Sequence, residues 1–262
     1  MQINLSSKTA LVGASTQGIG YGIARELAAS GANVFLMSRD EEKLKLAVQS
    51  LPVADAGQQH GYVVADFNDF QLFKGVIEKF LQQTPIDILV NNTQGPKAGK
   101  ASDLQTADYS AAFDLLFKVV VETTALALKG MMKNKWGRII NVSSVSVTEP
   151  IDKLALSNSI RAATAGWAKT LANELGQYNI TVNNILTGYF DTERIAKMIH
   201  EESLSTGSSV EVLRNERADK VPLKRLGRPE EYGYLATFLA SDYAAYITGT
   251  NIPLDGGLSK SY

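Results

Sequence analysis

The segment Gly13-Ala14-Ser15-Thr16-Gln17-Gly18-Ile19-Gly20 follows the apolar run Ala10-Leu11-Val12 and opens a stretch with helical patterning. Glycines at a strand-to-helix junction let the backbone turn sharply and approach a pyrophosphate, which sits on the free N–H groups of the helix N-terminus. A glycine pattern alone is a weak signal, and its placement between the first strand and the first helix makes it a specific one. Composition removes several other chemistries. The chain has no cysteine, so disulfides, thiolate nucleophiles and cysteine metal sites are excluded. Its two histidines, His60 and His200, are far apart and lack metal-site spacing, so each is expected at the surface or as a satisfied core residue, and no metal is expected.

An anion site of this kind needs a sheet whose strand ends carry it. Short, nearly continuous apolar runs lie at Thr9–Val12, Asn33–Met37, Gly61–Ala65, Asp87–Asn91, Arg138–Val142, Thr181–Ile185 and Thr250–Leu254, as suits parallel strands buried on both faces. Helical segments separate them. One runs from about Gly18 to Ala29, with Gly31 as its stop. A second covers about Ala107 to Lys133, with Phe113, Leu116, Phe117, Val120, Thr124, Leu128 and Met131 on one stripe, and a third covers about Leu156 to Tyr178. The alternation predicts an α/β fold: a single Rossmann-type doubly wound parallel sheet of about seven strands with helices on both faces, spanning 1–262 as one dinucleotide-binding domain. The polar stretch 191–222 interrupts the alternation and is expected to form a substrate lid.

A hydrophobic content of 45% is enough for a sizeable core, and a net charge of −1 gives no field that would recruit nucleic acid. The basic cluster Lys220, Lys224, Arg225 and Arg228 reads as a solvated loop. No run of 18 apolar residues suggests a membrane span, and Met1-Gln2-Ile3-Asn4-Leu5 lacks a signal-peptide pattern, so a cytoplasmic protein is expected.

Beyond the glycine turn, the chain carries Asp66, Asn91-Asn92, Asn141-Val142-Ser143-Ser144, Thr181-Val182-Asn183-Asn184, Gly188 with Thr192, Arg225-Leu226-Gly227-Arg228-Pro229-Glu230-Glu231, and Asp255-Gly256-Gly257. With these motifs at consistent spacing, the whole chain resembles the short-chain dehydrogenase/reductase family, especially its 3-oxoacyl-[acyl-carrier-protein] reductases. The resemblance implies a nicotinamide dinucleotide held by Ser15, Thr16, Gln17 and Ile19 at the phosphates. It also places Asp66 and Phe67 beside adenine, and Asn92, Arg161, Phe190 and Thr192 toward the nicotinamide end. The turn departs from the family's Thr-Gly-x-x-x-Gly-x-Gly, because Gly13 stands at the threonine and Ala14 at the first glycine. Ala14 therefore needs a conformation open to a Cβ. Where NAD-preferring members carry an acid, this chain has Ser38, and Arg39 beside it can fork onto a 2′-phosphate. NADP(H) is expected over NAD(H).

In this family a tyrosine phenol donates a proton to the carbonyl oxygen and a lysine one helical turn later lowers its pKa. A serine polarises the carbonyl, and an asparagine of an earlier helix orders a relay water. Ser144 matches the serine. The ungapped register set by Ala165-Gly166-Trp167-Ala168-Lys169 places Ser157 at the tyrosine, Arg161 at the lysine and Leu116 at the asparagine. An aliphatic hydroxyl is a far weaker acid than a phenol, and arginine stays protonated. Tyr189 is the preferred substitute acid, since it lies nearest the reacting atoms by this alignment. The resemblance thus implies an NADP(H)-dependent oxidoreductase acting on a small carbonyl or alcohol through a modified relay. The alternative is a catalytically silent NADP(H)-binding sensor or structural subunit. It also implies a homotetramer built on the two long helices, with Leu115, Val119 and Leu126 as apolar surface.

Overall fold

A computed structural model describes residues 2–261. The chain runs β1 (Thr9–Gly13), α1 (Gly18–Ala29), β2 (Asn33–Ser38), α2 (Glu41–Gln49), β3 (Gly61–Val64), α3 (Phe70–Gln83) and β4 (Ile88–Asn91). It continues with α4 (Thr106–Phe113), a π-helical turn at Asp114–Lys118, α5 (Val119–Asn134), β5 (Gly137–Val142), α6 (Ala155–Leu175) and β6 (Ile180–Thr187). Last come α7 (Glu193–Thr206), α8 (Val210–Lys220), α9 (Pro229–Ala240) and β7 (Asn251–Leu254).

The seven strands form one parallel sheet in the order β3-β2-β1-β4-β5-β6-β7. Two apolar layers cover it. One gathers Ile23, Leu27, Leu36, Ile185, Tyr232 and Leu239; the other gathers Leu11, Phe73, Ile77, Leu116, Ile160 and Val182. Among the described residues no helix is long and apolar enough to cross a membrane.

The strand order reverses between β1 and β4, which is where an open α/β sheet forms its crevice. The loops leaving these two strands nearly touch: a Cβ on Gly13 would stand 2.3 Å from the Asn92 carbonyl oxygen. A line of amides, buried except at Asn251, runs across the sheet. Asn91 Nδ2 donates to Asn141 Oδ1 at 2.9 Å, Asn141 Nδ2 to Asn184 Oδ1 at 2.8 Å, and Asn184 Nδ2 to Asn251 Oδ1 at 2.7 Å. These residues face one another in register across β4, β5, β6 and β7. Each amide is committed to the next, so the strand ends that carry Asn92 and Ser144 are held as one unit.

The expected single helix from Ala107 to Lys133 is corrected: the π-helical turn splits it. The extra residue in that turn shifts the register of the two halves, yet Leu116, Val120, Thr124 and Met131 of the expected stripe stay buried. Leu115, Leu116 and Val119 are buried in the protomer, and Phe113 and Phe117 of the expected stripe come partly to the surface. Leu115 and Val119 therefore contribute no free apolar surface, contrary to the sequence expectation.

Candidate active site

The glycine turn leads into α1, which has no side-chain cap and no acidic residue in its first turn. Its N–H groups are left facing a cleft lined by Thr16, Gln17, Gly18, Ile19, Ser38, Arg39, Asn92 and Thr192. Asn92 fixes the turn from across the crevice by donating to the Gly13 carbonyl at 3.0 Å. Ala14 adopts φ +44°, in the left-handed region. That region is available to a Cβ only at a cost, and the alanine bears about 1–2 kcal/mol of strain. The turn packs closely on α1, since a Cβ on Gly20 would lie 2.3 Å from the Ala14 carbonyl oxygen.

Three expected cleft residues are used elsewhere. Ser15 is fully buried; its Oγ donates to the Val12 carbonyl at 2.7 Å and accepts from the Met37 N–H at 3.1 Å, tying β1 to β2. Asp66 turns its carboxylate to Asn68, and Phe67 is buried edge-on against Phe73, so neither side chain lines the cleft. The cleft also includes Lys43, which stands beside Arg39, while the nearby Asp40 carboxylate is committed to capping α2. Arg39 forms no ion pair among the described residues. The uncapped helix end and the two cations, set against Asp40 and Glu193 of the same lining, suit the phosphates of a dinucleotide.

Ser144, Ser157, Arg161 and Tyr189 converge on one cavity of about 190 Å³, together with Asn92, Phe190 and Thr192. Ser144 precedes a short 3-10 turn, and its Oγ accepts from the Ser146 N–H at 3.1 Å, which leaves the hydroxyl hydrogen free to donate. Ser157 and Arg161 lie one turn apart on α6. Arg161 Nη1 donates to the Val142 carbonyl at 2.6 Å. Burial brings its guanidinium down to about 10, with the Tyr232 phenol opposing and the like charge of Arg194 adding to the fall. It therefore stays protonated at neutral pH. Tyr232 itself is buried, donates to the Ile185 carbonyl and accepts from Thr187, and burial pushes its phenol up, so it is no proton donor. Leu116 is buried in the π-helical turn, where its carbonyl accepts from Thr164 Oγ1 at 3.3 Å; its side chain does not reach the cavity.

The polar stretch 191–222 is folded into α7 and α8, and Ile195 and Met198 of α7 wall the cavity. Thr192 caps α7 and packs on the glycine turn, standing 3.4 Å from where a Cβ of Gly18 would be. The basic residues Lys220, Lys224, Arg225 and Arg228 before α9 are exposed, as expected of surface charges, and the segment is also tied down. Arg225 forks onto Glu231 with two contacts of 2.7 Å, and the Arg228 N–H donates to the same carboxylate at 2.7 Å. These bonds hold the Glu231 carboxyl down to about 2. They fix Gly227, which bonds the backbone on either side of Phe190. His60 is a satisfied structural histidine: its Nδ1 accepts from the Val34 N–H at 3.2 Å, and its other ring nitrogen meets the Pro52 carbonyl. Among the described residues no cluster of His, Cys, Asp or Glu could hold a metal ion.

Residues missed from sequence are Lys43 and Arg194, both brought to the crevice only by the fold. A family described as "Enoyl-(Acyl carrier protein) reductase" matches residues 13–259. The chain is 38% identical over 258 residues to "Oxidoreductase UcpA" of Salmonella typhimurium, covering 97% of this chain and 95% of that one. It is 30% identical to "3-oxoacyl-[acyl-carrier-protein] reductase FabG" of Aquifex aeolicus over 259 residues, covering 98% and 100%. Among solved structures, L-sorbose reductase from Gluconobacter frateurii complexed with NADPH and L-sorbose is similar along the full length of both chains, with a TM-score of 0.92 and 29% identity.

Proposed function

Because the chain belongs to the short-chain dehydrogenase/reductase family of oxidoreductases, we propose that it interconverts a small carbonyl compound and its alcohol with NADP(H), through a relay altered at three positions. The observation that carries this reading is the convergence of Ser144, Ser157, Arg161 and Tyr189 on one cavity that shares Asn92 and Thr192 with the dinucleotide cleft. When bound, the nicotinamide supplies or accepts the hydride. The chain's own residues then have separate tasks. Ser144 donates to the carbonyl oxygen and polarises it. Ser157, too short to replace a phenol directly, passes a proton through a water, and Tyr189 is the competing donor from the opposite wall. Arg161 keeps its charge and orients the ribose.

A panel of ketones and oxo acids, followed by NADPH absorbance, tests this reading. Substrate-dependent consumption is expected. Calorimetric binding of NADPH without turnover of any member would assign the chain to the silent binders instead.

The same reading includes a homotetramer in a cytosolic setting. Its support is a partly exposed aromatic surface shared by the long helices: Phe113 stacks on Phe117 at 4.8 Å, and Phe117 meets Trp167 edge-on at 6.1 Å. Partly exposed aromatic residues clustered on neighbouring helices are suited to association. Light scattering at micromolar protein is expected to give four times the chain mass. A monomer at that concentration rejects the tetramer.

A further inference from the structure

The cavity that holds Ser144 and Ser157 contains two guanidinium groups and no carboxylate. Arg161 enters from α6 and Arg194 from the first turn of α7, while no aspartate or glutamate lines the wall. Arg194 has no salt bridge or side-chain hydrogen bond among the described residues, unlike Arg214, Arg217 and Arg225 nearby, which are all paired. Its position is also electrostatically unfavourable, since a cation in the first turn opposes the helix dipole. It is held there by close packing: a Cβ on Gly95 would stand 2.1 Å from Arg194 Nη1, so the guanidinium lies flat against the backbone after β4. Two like charges facing one cavity, with one of them set against a helix N-terminus, are an arrangement that an oxyanion stabilises.

The remaining walls limit what carries that anion. Val145, Ile151, Leu154, Met198 and Leu258 form an apolar part of the lining beside neutral polar groups such as Thr93 and Thr187, and the volume suits a short chain. We propose that Arg161 and Arg194 together hold a carboxylate of the substrate, so that the substrate is an oxo acid, or its hydroxy-acid counterpart, with a short apolar body. The proposal rests on the reductase reading above and deepens it. Arg161 offers five N–H donors, of which one is used on Val142, so it can meet both a ribose hydroxyl and a carboxylate oxygen. The reacting carbonyl then lies between the carboxylate and Ser144.

Arg194 also borders the dinucleotide cleft, so the other source of an oxyanion is the cofactor pyrophosphate. Calorimetry on NADP+-loaded protein separates the two, because the oxidised cofactor cannot reduce an added carbonyl. The probes are 2-oxobutanoate, 4-oxopentanoate and 5-oxohexanoate with their methyl esters. At least one acid is expected to bind about tenfold or more tightly than its ester, the scale of a charge-assisted hydrogen bond. Arg194→Gln is expected to remove most of that margin while leaving the ester affinity unchanged, whatever it costs in NADP+ affinity, which is titrated separately. Equal binding of acid and ester, no binding of any acid, or an Arg194→Gln loss confined to NADP+ overturns the proposal. Absence of heat with NADPH and NADP+ alike is a different failure, which removes the dinucleotide reading on which it rests.

Discussion

Ser157→Tyr combined with Arg161→Lys is expected to raise the rate of ketone reduction about 10²–10⁴-fold, the usual contribution of a positioned general acid. The geometry supports the repair. Both positions lie on the same face of α6 and line the cavity beside Ser144, so a phenol at 157 projects toward the carbonyl that Ser144 polarises. The gain is expected to exceed the product of the single changes, because the lysine acts through the phenol and does little alone. Leu116→Asn adds less, since the side chain at that position is buried away from the cavity. Single-turnover rates with saturating NADPH check this, alongside calorimetric NADPH binding to confirm that each variant is folded. Brisk wild-type turnover that survives both Ser157→Ala and Ser144→Ala contradicts the altered relay and transfers the proton to Tyr189.

The second large effect concerns the nucleotide. Arg39→Ala is expected to weaken NADPH by about 1.5–3 kcal/mol, roughly 10- to 100-fold, while NADH affinity changes little. Arg39 lines the cleft with Ser38 and Lys43, and the nearest carboxylate, Asp40, accepts the Lys43 N–H at 3.0 Å in capping α2. A 2′-phosphate thus meets Arg39 and Lys43, set against the Asp40 carboxylate, which is turned to the α2 N-terminus, and Glu193 of the same wall. Lys43 retains part of the attraction, so Lys43→Ala in the Arg39→Ala background is expected to complete the loss. Equal wild-type affinities for NADPH and NADH reject this account of specificity.

Much of this arrangement was legible before the fold was known, for identifiable reasons. The helix from Gly18 to Ala29 has glycine-rich punctuation at its start and Gly31 after its end, and it is found with those bounds. The seven apolar runs are the seven strands, because a sheet buried on both faces demands near-continuous hydrophobicity. The assignment of Ser144, Ser157, Arg161 and Tyr189 to one place followed from motif register, and they line one cavity. Other features had no local signature. Ser15 reads like a phosphate contact, yet its hydroxyl is spent between β1 and β2, because only the sheet decides which neighbours it meets. The closeness of Arg194 to Gly95 joins residues about a hundred positions apart, and no periodicity encodes it. The π-helical turn has ordinary helix-forming residues, so its hydrogen bonding is set by how the two flanking halves pack.

That wide turn also bears on how the chain tolerates changes of length. A π-helical turn accommodates one residue more than an α-helical one, so excising a single residue from Asp114–Lys118 can restore continuous α-helix while leaving the orientations of α4 and α5 nearly as they are. The same excision within either flanking helix rotates everything beyond it by about 100° and turns buried Met131 or Ala112 toward solvent. The turn is therefore the place where this helix pair can gain or lose a residue without losing its core, and a deletion scan would find there a narrow window of viability within a stretch otherwise intolerant of shortening.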